Sequence, residues 1–230
     1  MAKQLIFDLP VNAALGREDF FVSPANAAAV ATIETWTLWS GGKLLLIGPK
    51  GSGKSHLAQI WAAETGAQIL SAQSLASQDV SAIAETSGYV VIEDADQIAG
   101  SQSHETALFH LHNLVLAEGG RILMTAASNP SLWQLSLPDL QSRLQGTAVA
   151  ALTPPDDALL AAVLVKLFAD RQLNVTPRVI DYLITRMERS FDSAHELVAK
   201  LDTAALTQKK PLTQRLIASV LDKPGTGAQR

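Results

Sequence analysis

The chain has 230 residues and a formal net charge of -4, and 47% of its residues are hydrophobic. It contains no cysteine, which excludes disulfide bonds, thiol catalysis and thiolate metal sites. The net negative charge argues against nonspecific nucleic-acid binding by the whole surface. No leader-like start and no apolar stretch of membrane-spanning length is present, so we expect a cytoplasmic protein without membrane contact.

Short apolar runs alternate with helical patterns up to about residue 152, and this alternation predicts an α/β fold with a mainly parallel sheet. The five predicted strands are residues 44–47, 68–70, 89–92, 122–125 and 148–152. From residue 154 to residue 230 the pattern predicts helices alone, at residues 156–172, 177–188, 193–208 and 213–221. Pro177 behind Thr176 indicates a helix start, and Ser193 with Glu196 indicates a capping box.

The strongest motif is GPKGSGKS at residues 48–55, which matches the pattern G-x-x-x-x-G-K-S between a predicted strand and a predicted helix. Backbone N–H groups in such a loop face an anion that the helix N-terminus also favours. We expect Lys54 to reach the terminal phosphates and Ser55 to bind Mg²⁺. The predicted nucleotide contacts are Gly48, Gly51, Ser52, Gly53, Lys54, Ser55 and His56. The alternative is a glycine-rich turn that matches by chance.

A second chemical site is predicted where the strand at residues 89–92 ends in Glu93 and Asp94. In a P-loop sheet, one such carboxylate holds the Mg²⁺ hydration shell and the next polarises the attacking water. Side-chain alternation places the two acids on opposite sides of the strand end, so they cannot share one role. We assign the metal position to Glu93, together with Ser55. A strand end that simply enters a polar turn is the alternative.

The P-loop, the acidic pair and the segment LPDLQSRL at residues 137–144 resemble the AAA+ domain of the replication initiator DnaA, and more closely the short DnaA-related regulators of the Hda type. The resemblance covers nearly the whole chain. It implies an AAA+ P-loop core at residues 13–153 with a helical lid at residues 154–230, and ATP or ADP with Mg²⁺ as ligands. Hda-type regulators promote hydrolysis of the ATP bound to DnaA, together with the sliding clamp.

The resemblance also implies two contact sites for partners. Arg143 matches the arginine finger, which enters a neighbouring subunit's ATP site; an ordinary surface arginine is the alternative. Residues 1–12 resemble a peptide that binds the sliding clamp, the β subunit of DNA polymerase III. Its candidate anchors are Gln4, Leu5, Phe7 and Leu9. A strand packed on its own domain is the alternative reading of that segment.

Three departures from the family pattern indicate weak self-contained hydrolysis of ATP. Glu93 stands where the initiator has aspartate. Ala127 stands at the position of the polar γ-phosphate sensor, with Thr125 and Ser128 beside it, and Asp192 aligns with the second sensor, which is normally arginine. An acid there repels phosphates and instead favours a helix N-terminus. We therefore expect poor discrimination in favour of ATP, with ADP as a possible structural ligand.

The expected function is that of a nucleotide-binding adaptor that negatively regulates replication initiation through DnaA and the clamp, with a homodimer as one candidate assembly. Sequence-specific DNA binding is not expected, because the initiator's helix-turn-helix domain has no counterpart in this sequence. An autonomous AAA+ ATPase or helicase-loader-like protein is one alternative, and a nucleotide-bound scaffold that no longer stimulates hydrolysis is another. We expect His104, His110 and His112 to be solvated or interfacial rather than metal ligands.

Overall fold

The computed structural model describes residues 20–208 and 217–218. Five strands form one sheet there: β1 (Lys43–Ile47), β2 (Gln68–Ser71), β3 (Tyr89–Glu93), β4 (Arg121–Ala126) and β5 (Ala148–Ala151). The sheet order is β2-β3-β4-β1-β5, and every neighbouring pair is parallel. This confirms the predicted α/β fold and all five predicted strands, whose ends shift by only one residue.

Within residues 20–208, eight α-helices accompany the strands: α1 (Ala27–Glu34), α2 (Lys54–Thr65), α3 (Val80–Thr86), α4 (Gln102–Ala117), α5 (Pro138–Gln145), α6 (Asp157–Asp170), α7 (Pro177–Ile184) and α8 (Phe191–Gln208). None of these described helices combines the length and the apolar character that crossing a bilayer requires.

The central strands are buried on both faces, as parallel strands between two helical layers require. Leu44, Leu45 and Leu46 of β1 are all 0% exposed. Alternate residues enter opposite layers: Leu45 packs in the cluster that includes Leu108 of α4, whereas Leu44 and Leu46 pack in the cluster that includes Trp61 of α2. Because the strands are parallel, the loops after β1, β3 and β4 meet at one edge of the sheet.

Helices α6, α7 and α8 enclose a separate apolar cluster, built around Leu164, Phe168, Leu183 and Val198. Two predictions about helix ends are wrong here: α7 ends at Ile184, and α8 begins at Phe191 rather than at Ser193. The capping residue is Ser190, whose Oγ accepts a hydrogen bond of 3.1 Å from the N–H of Ser193. Ser193 is therefore inside the helix. Of the predicted helix at residues 213–221, only residues 217–218 are described, and they are helical.

Candidate functional site

The P-loop connects β1 to the first residue of α2, as the motif predicts. Gly51 and Gly53 have φ angles of 70° and 93°, which lie in the left-handed region that glycine favours. Gly48 is constrained differently, because a Cβ atom there would lie 2.7 Å from the carbonyl oxygen of Leu152. Gly51 and Gly53 therefore allow a left-handed backbone, and Gly48 allows the loop to approach Leu152 closely.

Lys54 is held inside the loop that precedes it. Its side chain is buried, and Nζ donates hydrogen bonds of 2.7 Å to the carbonyl oxygen of Gly48 and 2.9 Å to that of Pro49. Burial lowers the pKa of Lys54, and this outweighs the opposing effect of nearby carboxylates, those of Asp94, Asp96 and Asp192. The structure thus presents a partly desolvated ammonium group beside the backbone of the loop.

A cavity of about 450 Å³ opens above the P-loop and reaches the helices α6 and α8. Five of the seven predicted nucleotide contacts line it: Gly51, Gly53, Lys54, Ser55 and His56. Gly48 and Ser52 do not. The side chain of Ser52 is buried, and its Oγ has no hydrogen-bond partner among the described residues. The volume lies in the range of small-molecule sites.

One wall of the cavity is apolar, and sequence reasoning largely missed it. Phe20, Phe21 and Phe191 contribute aromatic rings, and Leu159, Val163 and Leu167 contribute one face of α6. The spacing of these three aliphatic residues, i, i+4 and i+8, was a usable signal that they share a helix face. Which surface that face meets is decided by the tertiary fold. The remaining lining residues include the polar side chains Lys50, Gln59, Lys166, Asp170 and His195.

The acidic pair is divided between the cavity and the protein interior. Asp94 lines the cavity and has a left-handed φ of 55°, whereas Glu93 does not line it. The Oε1 atom of Glu93 is buried without a hydrogen-bond partner among the described residues. In the described parts of the chain, no group of three or more His, Asp or Glu side chains could hold a metal ion. A Mg²⁺ ion would therefore need ligands from its nucleotide.

The candidate sensor residues, Thr125 in β4 and Ala127 just after it, make internal contacts instead of lining the cavity. Thr125 is fully buried, and its Oγ1 accepts a hydrogen bond of 3.0 Å from the N–H of Asp94. The N–H of Ala127 donates a hydrogen bond of 3.0 Å to Oδ2 of Asp96. Both contacts fix the backbone of the acidic loop.

The N-terminus of α8 lies directly on the P-loop. The N–H of Phe191 donates to the carbonyl oxygen of Gly51 across 2.8 Å, and Asp192 lies in the first turn of the helix. A Cβ atom on Gly51 would lie 3.3 Å from Cγ of Asp192, so this carboxylate is adjacent to the loop. Burial lowers the pKa of His195, Arg171 lowers it further, and Asp192 opposes both effects. The position aligned with the second sensor therefore does adjoin the P-loop.

Arg143 does not line this cavity, and it lies near the opposite ends of the strands. It lies in the last turn of α5, and its backbone oxygen accepts a hydrogen bond of 2.8 Å from Nζ of Lys43. Lys43 begins β1, whereas the P-loop follows the end of β1, so the two sites lie at opposite edges of the sheet. The guanidinium carbon lies 5.1 Å from the centre of the Phe109 ring. Arg143 is exposed and forms no ion pair with a carboxylate of the described residues.

The expectation that all three histidines of α4 are solvated or interfacial is wrong for His112. This residue is 2% exposed, and its Nε2 lies 3.5 Å from Nζ of Lys43. Burial, with a further contribution from the charge of Lys43, lowers its pKa to about 4. His112 is therefore neutral near pH 7, and it packs beside Lys43.

Comparison with known proteins assigns the family. A family model described as the Hda lid domain matches residues 157–221. The chain is 30% identical to an uncharacterised protein of Haemophilus influenzae over 183 residues, which cover 76% of this chain and 79% of that protein. It is 28% identical to the chromosomal replication initiator protein DnaA of Caulobacter vibrioides, over 88% of this chain. The chain belongs to the DnaA-related AAA+ proteins and is Hda-like.

Only 46% of the Caulobacter DnaA is covered by this Hda-like chain, so the match concerns a part of the initiator. Solved structures show the same fold. Domain III of DnaA from Thermotoga maritima has a TM-score of 0.78 at 20% identity, and the match covers 94% of this chain and 100% of that domain. The AMPPCP-bound DnaA of Aquifex aeolicus has a TM-score of 0.67 at 19% identity, with 84% and 67% covered.

Proposed function

We propose that this Hda-like protein binds an adenine nucleotide in its own cavity and uses Arg143 to stimulate hydrolysis of the ATP bound to DnaA. The observation that carries this proposal is the position of Arg143. It is exposed, it forms no ion pair with a carboxylate of the described residues, and it lies at the edge of the sheet opposite to its own P-loop. A guanidinium placed there acts on the nucleotide of another molecule more readily than on its own.

Nucleotide binding is supported by the lining of the cavity, which suits both the phosphates and the base of a nucleotide. The P-loop backbone and Lys54 offer donors for the phosphates, and the three phenylalanines offer rings for the base. Ser55 and Asp94 line the cavity and are the side chains that would hold Mg²⁺ there, and the ion would neutralise phosphate charge. The AMPPCP-bound state of a DnaA with the same fold agrees with this assignment.

Weak hydrolysis by the protein itself is supported by the contacts of Thr125 and Ala127. Both residues support the acidic loop, and neither lines the cavity. An adaptor does not need to hydrolyse its own nucleotide, because a finger supplies donors to a transition state in the neighbouring site. The bound nucleotide then has a structural role between the P-loop and α8.

Clamp binding belongs to the same proposal and rests on the sequence. The anchors Gln4, Leu5, Phe7 and Leu9 lie outside the described residues. The clamp would bring this protein to DNA on which it is loaded, and there Arg143 would meet DnaA. Whether two copies of this chain form a homodimer is tested by measuring the molecular mass of the protein in solution.

Two variants test the two halves of the proposal. Lys54→Ala should weaken nucleotide binding by about 1.5 to 3 kcal/mol, because it removes hydrogen bonds from a charged donor. Arg143→Ala should leave that affinity unchanged and reduce stimulated hydrolysis by DnaA, where a finger contributes roughly 10³ to 10⁵ in rate. Arg143→Lys should restore only part of the rate, since lysine lacks the planar donor fork. Full stimulation by Arg143→Ala would refute the adaptor mechanism.

One observation favours the alternative of an autonomous ATPase: Asp94 lines the same cavity as Lys54 and Ser55. Turnover of ATP by the isolated protein separates the two functions. Brisk turnover that Arg143→Ala abolishes would place the finger between copies of this chain. Negligible turnover, with stimulation of DnaA, agrees with the adaptor.

A further inference from the structure

Glu105 of α4 is a fully buried carboxylate that the nucleotide site does not use. It is 0% exposed, and its Oε2 accepts hydrogen bonds of 2.8 Å each from the N–H groups of Ser136 and Leu137. Its Oε1 accepts a hydrogen bond of 2.9 Å from the N–H of Gly100. Leu137 is the N-cap residue of α5. The carboxylate therefore ties the segment after the acidic loop to the start of the helix that carries Arg143.

The other end of α5 is held by a charge of the opposite sign. Nζ of Lys43 donates a hydrogen bond of 2.8 Å to the carbonyl oxygen of Arg143, in the last turn, and the same oxygen also accepts one of 3.0 Å from Oγ1 of Thr147. Carbonyl oxygens of the last turn lack partners within the helix. A negative charge at the N-terminus and a positive charge at the C-terminus are each the sign that the helix dipole favours. His112, neutral and buried, packs beside Nζ of Lys43.

Helix α5 needs such attachments because it is short. It has eight residues, of which only Leu140 and Leu144 are buried. A helix of this length is not stable alone in water. These two leucines lie on one face of the helix and anchor it to the core. Hydrogen bonds at both ends add directional contacts to this apolar anchor.

We propose that Glu105 and Lys43 are positioning residues for Arg143, holding α5 at its two ends so that the guanidinium is presented at a defined place. The inference rests on the proposed function, in which Arg143 acts on a neighbour's nucleotide. A displacement of about 1 Å in such a group can cost on the order of 100-fold in rate. Neither residue touches the reacting phosphate; both act through the backbone of α5.

The test measures stimulated hydrolysis by nucleotide-loaded DnaA, with clamp on DNA, as a function of the concentration of this protein. Lys43→Met should lower the maximal rate roughly 10- to 100-fold while the half-saturating concentration changes little, because docking remains. Lys43→Arg, which keeps a charged donor, should restore most of the rate. Glu105→Gln should also lower the maximal rate, since an amide replaces one acceptor oxygen with a donor that faces a backbone N–H. Lys200→Met, at an exposed lysine of α8, is the matched control and should have no effect.

A second comparison separates positioning from general damage. In an Arg143→Ala background, Lys43→Met should cause no further loss, because the group that it positions is absent. If Arg143→Ala abolishes stimulation while Lys43→Met and Glu105→Gln retain it, the positioning inference is wrong and the proposed function stands. If Arg143→Ala retains full stimulation, the proposed function itself is wrong. If Glu105→Gln does not fold or does not bind nucleotide, the positioning inference is tested by comparing the maximal rates of Lys43→Met and Lys43→Arg. Equal rates for these two variants would contradict it.

Discussion

The N–H of Phe191 donates a hydrogen bond of 2.8 Å to the carbonyl oxygen of Gly51. This contact joins the first residue of α8 to the P-loop, although the two residues are 140 positions apart in the sequence. Phe191 and Asp192 both line the cavity, and Asp192 also adjoins Gly51 of the loop. A nucleotide bound in the cavity would therefore touch both the loop and the helix.

Gly51→Ala should weaken both the fold and nucleotide binding. The φ of Gly51 is 70°, and a Cβ atom there would lie 2.9 Å from Cβ of Ser190. The left-handed backbone costs about 1–2 kcal/mol for a side-chain-bearing residue, and the clash adds to it. Gly66→Ala is the matched control, because Gly66 has a φ of 73° but no atom within 4 Å of the new Cβ. Denaturant unfolding and calorimetry should show a larger loss for Gly51→Ala; equal losses would contradict the packing of α8 on the loop.

Wild-type protein should bind ADP at least as tightly as ATP, and Asp192→Asn should shift this balance toward ATP. Asp192 places a negative charge beside the P-loop, and ATP carries more negative charge than ADP. Because Asp192 is exposed, we expect a gain for ATP of roughly two- to five-fold, which diminishes as salt is added. Calorimetric titrations with ADP and a non-hydrolysable ATP analogue measure the shift. Asp181→Asn, on an exposed face of α7, is the control. An equal gain in ATP affinity for that variant would contradict a specific effect of Asp192 on the bound nucleotide.

Stability should fall in acid partly because His112 is buried in its neutral form. Its pKa in the folded protein is about 4, compared with 6.5 in the unfolded chain. The unfolded state therefore binds more protons between these values. The stabilisation is fully present above about pH 6.5 and decreases as the pH falls toward 4.

The loss attributable to His112 over that window should approach on the order of 3 kcal/mol. His112→Gln should remove this part of the pH dependence, whereas His110→Gln, at an exposed neighbour on α4, should retain it. Urea unfolding at several pH values between 7.5 and 4 measures the difference. An unchanged slope in His112→Gln would show that other groups cause the acid sensitivity.

Replacing Gln4, Leu5 and Phe7 together by alanine should abolish binding to the sliding clamp. The nucleotide affinity and the thermal midpoint of the protein should remain unchanged, because a docking peptide contributes little to the core of the domain that carries it. Lys3→Ala is the control, since Lys3 precedes the predicted anchors. Retention of the triple variant on immobilised clamp, at the level of the control, would exclude this segment as the binding peptide.

Most of the fold follows from local patterns in the sequence. Apolar runs bounded by polar turns identified all five strands, and the three central strands are apolar because they are buried on both faces. The P-loop could be predicted together with its strand and its helix, since the whole motif lies within adjacent residues. The aromatic wall was less accessible, because Phe191 is far from Phe20 in the sequence.

What only the tertiary structure decided are the pairings between distant polar groups. No spacing rule indicates that the hydroxyl of Thr125 accepts from Asp94, that Glu105 holds the start of α5, or that Lys43 holds its end. The error at the start of α8 has the same origin: Ser190 and Ser193 are both good caps locally, and the contact of Phe191 with Gly51 selects Ser190. The sequence by itself determined the elements and the phosphate-binding loop, because hydrophobic periodicity and turn chemistry act over a few residues. The partner of each buried charge was decided by packing. A buried charged group needs hydrogen-bond partners, and these come from residues that only the folded chain brings close to it.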